Sequence, residues 1–122
     1  MSTVAEANLT NPERRVLARF LELLREAMGD ELRAVWLYGS RARGEGEIGE
    51  SDIDVLVLTE TGRDDSRRVL RLLSKAEGEL NEAHWVVSAL VQSPEWVDDR
   101  RAIDAFFIQE VDRDKIVLHG AP

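Results

Sequence analysis

The stretch "LYGSRARGEGEIGESDIDVLVL", Leu37 to Leu58, contains two overlapping motifs that predict different binding sites. Gly44-x-Gly46-x-x-Gly49 matches the letters of a dinucleotide-binding fingerprint. That fingerprint needs its first glycine to end a strand and its third to begin a helix, so that the pyrophosphate lies on the helix N-terminus. Here a strand follows Gly49, and the glutamates between the glycines would repel a pyrophosphate. We therefore interpret these glycines as a flexible, polar connection between two strands.

The second motif consists of Gly39-Ser40 before this connection and Asp52-x-Asp54 after it. Gly39 ends a predicted strand and Ser40 begins a short helical turn, whose free N–H groups and hydroxyl can bind phosphate. Asp52 and Asp54 lie two residues apart on the next strand, so both carboxylates face the same side, where they can chelate Mg²⁺ beside substrate phosphates. Asp-x-Asp alone would be no more than the polar start of a strand. Because sequential strands are usually neighbours, the combined motif predicts one metal and phosphate site.

The rest of the chain has the periodicity of alternating helices and strands. Apolar residues at helical spacing predict helices over about Pro12–Met28, Asp64–Leu80 and Asp98–Val111. Runs of β-branched and aromatic residues predict strands over Arg33–Gly39, Asp52–Leu58, His84–Gln92 and Lys115–Gly120. The expected buried face of the third helix consists of Ile103, Phe106, Phe107 and Val111. We interpret the aromatic residues as core or interface residues rather than as a platform for stacking bases.

The composition predicts one globular, soluble domain over residues 1–122, with 43% hydrophobic and 33% charged residues. No apolar run is long enough to span a bilayer, and the N-terminus lacks the features of a signal peptide, so we expect no membrane association. The absence of cysteine excludes disulfides and thiolate metal sites and is consistent with the cytoplasm. A net charge of −8 disfavours direct binding of nucleic acid.

The segments "GSRARG" and "SDIDVLVL" resemble the signature of the minimal nucleotidyltransferases (MNT) of the DNA polymerase β superfamily, Gly-Ser followed some ten residues later by Asp-x-Asp. The spacer here is eleven residues, Arg41 to Ser51. The later segments "SPEWV" and "IVLHG" extend the resemblance over most of the chain. It implies an α+β fold with a polymerase β-like core, a small mixed sheet of about four strands with flanking helices mainly on one face, and no added substrate domain.

The resemblance also implies a role for each motif residue. Asp52 and Asp54 would be catalytic residues and ligands of Mg²⁺, and Gly39 and Ser40 would hold the outer phosphates of the nucleotide, with ATP as substrate. Arg41 or Arg43 would balance phosphate charge. The alternative for these two arginines is an ion pair at the surface with neighbouring glutamates.

The sequence departs from the superfamily at the third carboxylate, which normally lies on the next core strand and helps to activate the attacking hydroxyl. Aligning Ser93-Pro94-Glu95 with the superfamily pattern puts Ser88 at that position. Glu79 and Glu82 precede the strand and would have to reach into the site. A missing base should weaken catalysis without abolishing phosphate or Mg²⁺ binding, because phosphoryl transfer depends chiefly on positioning and charge neutralisation.

Minimal members of this superfamily often act beside a small helical HEPN protein, as antitoxins that transfer AMP to a tyrosine of the toxin. The resemblance therefore implies an ATP- and Mg²⁺-dependent antitoxin with a HEPN partner. Two alternatives stay open: a catalytically weak module that neutralises the partner by binding it, and a transferase for a small molecule such as an aminoglycoside, although no second half-site is evident. The sequence leaves homo-oligomerisation open.

Overall fold

The computed structural model describes residues 7–45, 52–80 and 87–122. The first helix, α1 (Asn11–Met28), begins with a capping box. The Glu13 N–H donates to the Thr10 hydroxyl at 3.2 Å, and the Thr10 N–H donates to the Glu13 carboxylate at 2.8 Å. Pro12 lies in the first turn, where its missing N–H costs nothing. The helix therefore begins where the sequence pattern predicts.

Among the described residues, the remaining elements are four strands and four helices, with two helices in succession before the last strand. They are β1 (Leu32–Tyr38), α2 (Gly39–Ala42), β2 (Ile53–Thr59), α3 (Ser66–Glu79), β3 (Val87–Gln92), α4 (Pro94–Ala102), α5 (Phe106–Asp114) and β4 (Ile116–Gly120). Short 3₁₀ turns, Gly29–Glu31 and Gly62–Asp65, precede β1 and α3. The predicted α+β fold with a four-stranded mixed sheet is confirmed. The start of the predicted third strand, His84 to Val86, lies outside the described residues.

The strand order of the sheet is β3-β2-β1-β4. β1 is antiparallel to both β2 and β4, whereas β2 is parallel to β3, to which α3 connects it. β1 and β2 are therefore the central strands, as their nearly continuous apolar sequence predicts. In this register Tyr38 lies opposite Asp54, and Asp54 lies beside Ser88.

Helices cover both faces of the sheet. α1 and α3 pack on the face that carries Leu37 and Val55, and α4 and α5 pack on the face that carries Trp36 and Leu56. The expectation that helices lie mainly on one face is wrong. The physical reason is that the central strands are apolar on both sides, so each side must be shielded from water.

The predicted helix over Asp98–Val111 is in fact two helices, α4 and α5, separated at residues 103–105. Asp104 at this junction has a left-handed φ of 51°. The break changes the phase of the helical pattern, so Ile108 and Val111 are buried whereas Ile103 and Phe106 are 67% and 74% exposed. The predicted buried face is therefore wrong except at Val111.

Among the helices of residues 7–45, 52–80 and 87–122, none combines the length and the apolar character that crossing a membrane requires.

Candidate active site

The predicted site residues lie where β1 ends and β2 begins. Tyr38, the last residue of β1, pairs with Asp54, the second residue of β2. Directly opposite residues of an antiparallel pair point to the same face, so both side chains lie on the face covered by α4 and α5. The chain leaves β1 through Gly39 and forms α2 beside the start of β2. This connection brings the Gly-Ser and Asp-x-Asp halves of the motif together.

The backbone at Gly39 lies directly against the Asp54 carboxylate. Gly39 has a φ of 77°, and a Cβ atom at this position would lie 2.5 Å from the Asp54 Oδ2 atom. Both the left-handed conformation and the close approach require glycine. The glycine that sequence analysis assigns to phosphate binding thus also makes room for the carboxylate that it assigns to metal binding.

The two acids of the motif influence each other electrostatically. Partial burial raises the pKa of Asp54, and the negative charge of Asp52 raises it further. Burial, followed by the negative charge of Asp54, raises the pKa of Tyr38 to about 12, so the phenol stays protonated at neutral pH. Two adjacent carboxylates with oxygen donors fit a hard divalent cation such as Mg²⁺. The described residues contain no cluster of three or more acids or histidines that could hold a metal.

Ser40 and Gly44 lie in and just after α2. The Ser40 carbonyl accepts a hydrogen bond from the Glu45 N–H at 2.8 Å, and the Gly44 N–H donates to the Arg41 carbonyl at 3.2 Å. Gly44 therefore closes a helical turn instead of ending a strand, which is where a dinucleotide fingerprint needs its first glycine. Gly46 and Gly49 lie outside the described residues.

Arg41 is fully buried and forms an ion pair with Glu13 of α1, with N–O distances of 2.9 and 3.2 Å. It also donates to the Asn8 carbonyl at 2.8 Å, while its own carbonyl accepts from the Asn8 N–H. This arrangement matches neither the predicted phosphate-binding role nor a surface pair with a neighbouring glutamate. The guanidinium holds α2 against α1. The Thr10-x-x-Glu13 capping box was the sequence signal that could have drawn attention to Glu13.

Arg43 lies at the end of α2 and is partly exposed. It pairs with Glu45 at 3.2 Å and with Asp114 of α5 at 3.3 Å. The hydrogen bond that Arg43 donates to Glu45 is the largest of the influences that raise the pKa of Arg43, and a second hydrogen bond, to Asp114, acts in the same direction. Arg43 thus forms the predicted pair with a neighbouring glutamate and, in addition, ties α2 to α5.

Ser88 lies beside Asp54 in the parallel register and is exposed. A carboxylate at this position would face the same side as Asp54. The assignment of Ser88 to the third-carboxylate position stays a prediction. Glu79 is held by Arg19 of α1 at 2.6 Å, on the opposite face of the sheet, so the structure does not bring it to the site. Glu82 lies outside the described residues.

Three solved structures have a fold similar to that of this chain. A structure described as a toxin–antitoxin with AMP-PNP has a TM-score of 0.55 and 22% identity, over 92% of this chain and 75% of that chain. A mutant of the toxin–antitoxin MntA–HpeT has a TM-score of 0.52 and 23% identity, over 86% and 72%. A candidate nucleotidyltransferase from Sulfolobus solfataricus has a TM-score of 0.52 and 21% identity, over 89% and 83%.

No curated protein is significantly similar to the chain in sequence. The model of the nucleotidyltransferase domain family, however, matches residues 17–118. This match includes the whole of the Gly-Ser and Asp-x-Asp motif, the strands β1 to β3 and the first three residues of β4. The chain therefore belongs to the nucleotidyltransferase domain family.

Proposed function

We propose that this protein is an ATP- and Mg²⁺-dependent nucleotidyltransferase that transfers AMP to a tyrosine hydroxyl of a HEPN toxin and thereby acts as an antitoxin in the cytoplasm. The observation that carries the proposal is the close approach of the Gly39 backbone to the Asp54 carboxylate. It brings the Gly-Ser turn, which we propose binds phosphate, next to the acid pair. Membership of the nucleotidyltransferase family supports the reaction class. Toxin–antitoxin proteins of the same fold, one of them described with AMP-PNP, support the partner class and the nucleotide.

Each site residue has a role in this proposal. Asp52 and Asp54 would hold Mg²⁺, which when bound neutralises phosphate charge and polarises the transferred phosphoryl group. The N–H groups at Gly39 and Ser40, with the Ser40 hydroxyl, bind the outer phosphates. Arg43 lies at the end of α2 and pairs with Glu45. A bound phosphate could replace Glu45 as the partner that neutralises the charge of Arg43. Arg41 positions α2 through Glu13.

In the proposed reaction the acceptor oxygen attacks the α-phosphorus of ATP. The new P–O bond replaces the bond from the α-phosphorus to the oxygen that bridges to the β-phosphate, and pyrophosphate leaves. The proton of the acceptor hydroxyl passes to a base or to water. Ser88 cannot accept it as a carboxylate would, so the chain relies on positioning and charge neutralisation for most of its catalysis.

Ser88 also favours the second candidate function, a catalytically weak module that neutralises its partner by binding it. The hydroxyl lies beside Asp54, at the position where a third carboxylate would assist the acceptor. A transferase for small molecules such as aminoglycosides has less support, because no described element supplies a second half-site.

The proposal is tested by calorimetry and by transfer of AMP from ATP labelled at the α-phosphate to a co-expressed HEPN protein. We expect ATP binding to require Mg²⁺, because the triphosphate would otherwise meet two carboxylates. We expect Asp54→Asn to abolish transfer. The matched control is Asp30→Asn, since Asp30 is exposed at the opposite end of β1.

Equal ATP affinity with and without Mg²⁺, or equal transfer by Asp54→Asn and the wild type, would contradict the proposed enzyme. Inhibition of the toxin by a wild-type chain that transfers no AMP would support the binding module instead.

A further inference from the structure

An exposed apolar surface adjoins the candidate active site. Four large hydrophobic side chains are exposed in the described part of the chain, and three of them lie within five residues of sequence. These three, Ile103 (67% exposed), Phe106 (74%) and Phe107 (37%), are here called the junction patch. Single exposed apolar residues are ordinary on protein surfaces, but a cluster of large ones beside a reaction centre indicates a binding surface.

The junction patch is displayed by an ordered turn between α4 and α5. Asp104 is the one non-glycine residue with a positive φ in residues 7–45, 52–80 and 87–122. The Ala105 N–H donates to the Arg100 carbonyl at 3.0 Å, and the Gln109 side chain donates to the Asp104 carbonyl at 3.1 Å. These bonds close the turn so that Ile108 is buried while Phe106 faces solvent.

The junction patch is continuous with the acid pair. The Phe107 ring meets the Tyr38 ring edge-on, with centroids 5.5 Å apart, and meets the Trp96 ring at 6.2 Å. Tyr38 in turn lies opposite Asp54 across the β1–β2 pair. α5, which carries Phe106 and Phe107, is also tied to the end of α2 by the Arg43–Asp114 ion pair. A protein bound on the patch would therefore extend over the site.

We propose that the junction patch docks the protein that supplies the acceptor hydroxyl, and this inference rests on the proposed function. Transfer requires the acceptor oxygen to come within about 3–3.5 Å of the phosphorus, so a protein acceptor needs a docking surface next to the acid pair. The junction patch meets this condition. Leu70, the fourth exposed hydrophobic residue, lies on α3, which packs on the opposite face of the sheet.

The occupant is a protein with an apolar surface surrounded by basic residues. Asp99 and Asp104 are exposed near the patch, and neither forms an ion pair with any residue that the structure describes. The nearby cations are engaged, since Arg101 pairs with Asp112 and Arg100 lies over the Trp96 ring. Together with the net charge of −8, these acids favour a basic partner and oppose an acidic one. A nucleobase is a poorer fit, because a base stacks on aromatic faces and could not cover Ile103, Phe106 and Phe107 together.

The test uses the double variant Ile103→Ser/Phe106→Ser in the full chain, with Leu70→Ser as the matched exposed control. We expect the double variant to bind the HEPN protein at least tenfold more weakly and to raise the KM for it while kcat changes little. Mg·ATP affinity and AMP transfer to N-acetyl-tyrosinamide, which needs no docking surface, should not change. Leu70→Ser should behave as the wild type, and the conservative Phe106→Leu should retain most of the binding. Circular dichroism checks that each variant is folded.

Several results would overturn the docking proposal. Unchanged affinity of the folded double variant for the HEPN protein would do so, and so would a loss of Mg·ATP affinity, which would assign the patch to the nucleobase. Failure of the wild type to bind the HEPN protein would also overturn the docking proposal. If the same wild type still transferred AMP to N-acetyl-tyrosinamide in a reaction that needs Asp54, the enzyme assignment would remain intact. Conversely, patch-dependent binding without any AMP transfer would support docking and contradict the proposed activity.

Discussion

Two features of the structure require glycine at position 39: its left-handed backbone conformation and the close approach of the Asp54 carboxylate. The Gly39 φ of 77° is unfavourable for any residue with a Cβ atom, and the same Cβ would lie 2.5 Å from the Asp54 Oδ2 atom. Relief of that overlap would have to move the Asp54 carboxylate, because the turn itself connects β1 directly to α2.

We therefore predict that Gly39→Ala lowers the free energy of unfolding by about 1–2 kcal/mol and weakens Mg·ATP binding at least tenfold. Urea denaturation and calorimetry measure the two effects. Gly78→Ala is the control, because a Cβ atom on Gly78 of α3 would meet no atom within 4 Å. That control should be neutral or more stable by up to about 1 kcal/mol. Unchanged Mg·ATP affinity in Gly39→Ala would show that the Asp54 position is not important for binding.

Ser88 offers the reverse experiment, in which a group is added. Because Ser88 is exposed and lies beside Asp54, Ser88→Asp would add a carboxylate on the same face as the acid pair. We predict that AMP transfer to the HEPN protein rises by about 10²-fold or more, the usual contribution of a general base. Without metal, the added charge should raise the pKa of Asp54 further and lower stability.

The prediction is tested by measuring the rate of AMP transfer by Ser88→Asp. Ser74→Asp is the control, because Ser74 is exposed on α3. If the wild type transfers AMP rapidly and Ser88→Asp is neutral or harmful, the alignment that assigns Ser88 to the third-carboxylate position is wrong.

At the scale of secondary-structure elements, the Glu13–Arg41 ion pair fixes α2 relative to α1. Partial burial works to raise the pKa of Glu13, but the hydrogen bonds from Arg41 and Thr10, together with the Arg41 charge, outweigh it and lower that pKa. A lowered pKa stabilises the folded state above the ordinary glutamate pKa. This contribution is lost as the pH falls through the lowered value.

We predict that Glu13→Gln lowers the free energy of unfolding by about 3 kcal/mol at neutral pH, because it removes the Glu13 carboxylate that pairs with the buried Arg41 guanidinium. The difference from the wild type should shrink as the pH falls below the ordinary glutamate pKa and through the lowered pKa of Glu13, where the wild-type carboxyl becomes protonated. Urea denaturation from pH 3 to pH 8 measures it. Glu22→Gln, which removes an exposed partner of Arg19, should change stability by less than about 1 kcal/mol. A pH-independent difference at Glu13 would exclude the ion pair as its cause.

For the whole molecule, nucleotide binding should appear as thermal stabilisation that depends on metal. A ligand that binds only the folded state at 100 times its Kd adds about 2.7 kcal/mol of stability, which raises the Tm of a chain of this size by several degrees. We predict such a rise with Mg·ATP and little or none with ATP alone. Scanning calorimetry checks the prediction, and Asp54→Asn should remove the rise. An equal rise with ATP alone would contradict a shared metal and phosphate site.

The sequence alone determined those features whose signal is local in the chain. Helix α1 has a capping box and an apolar period, and β1 and β2 are short β-branched runs, so their positions agree with the pattern to within a few residues. The Gly-Ser and Asp-x-Asp motif is also local, and the order of its strands along the chain was enough to predict that Gly39 and Asp54 lie together.

The tertiary structure decided the features that depend on contacts between distant residues. Arg41 lies buried against Glu13, 28 positions away in the chain, and its neighbours in sequence carry no sign of that partner. The division of the last predicted helix into α4 and α5 depends on Asp104, which adopts a left-handed conformation that its residue type permits but does not require. Periodicity reports the conformation of a segment, whereas burial depends on what packs against it. Only the folded chain therefore reveals that Phe106 is exposed to solvent whereas Ile108 is buried.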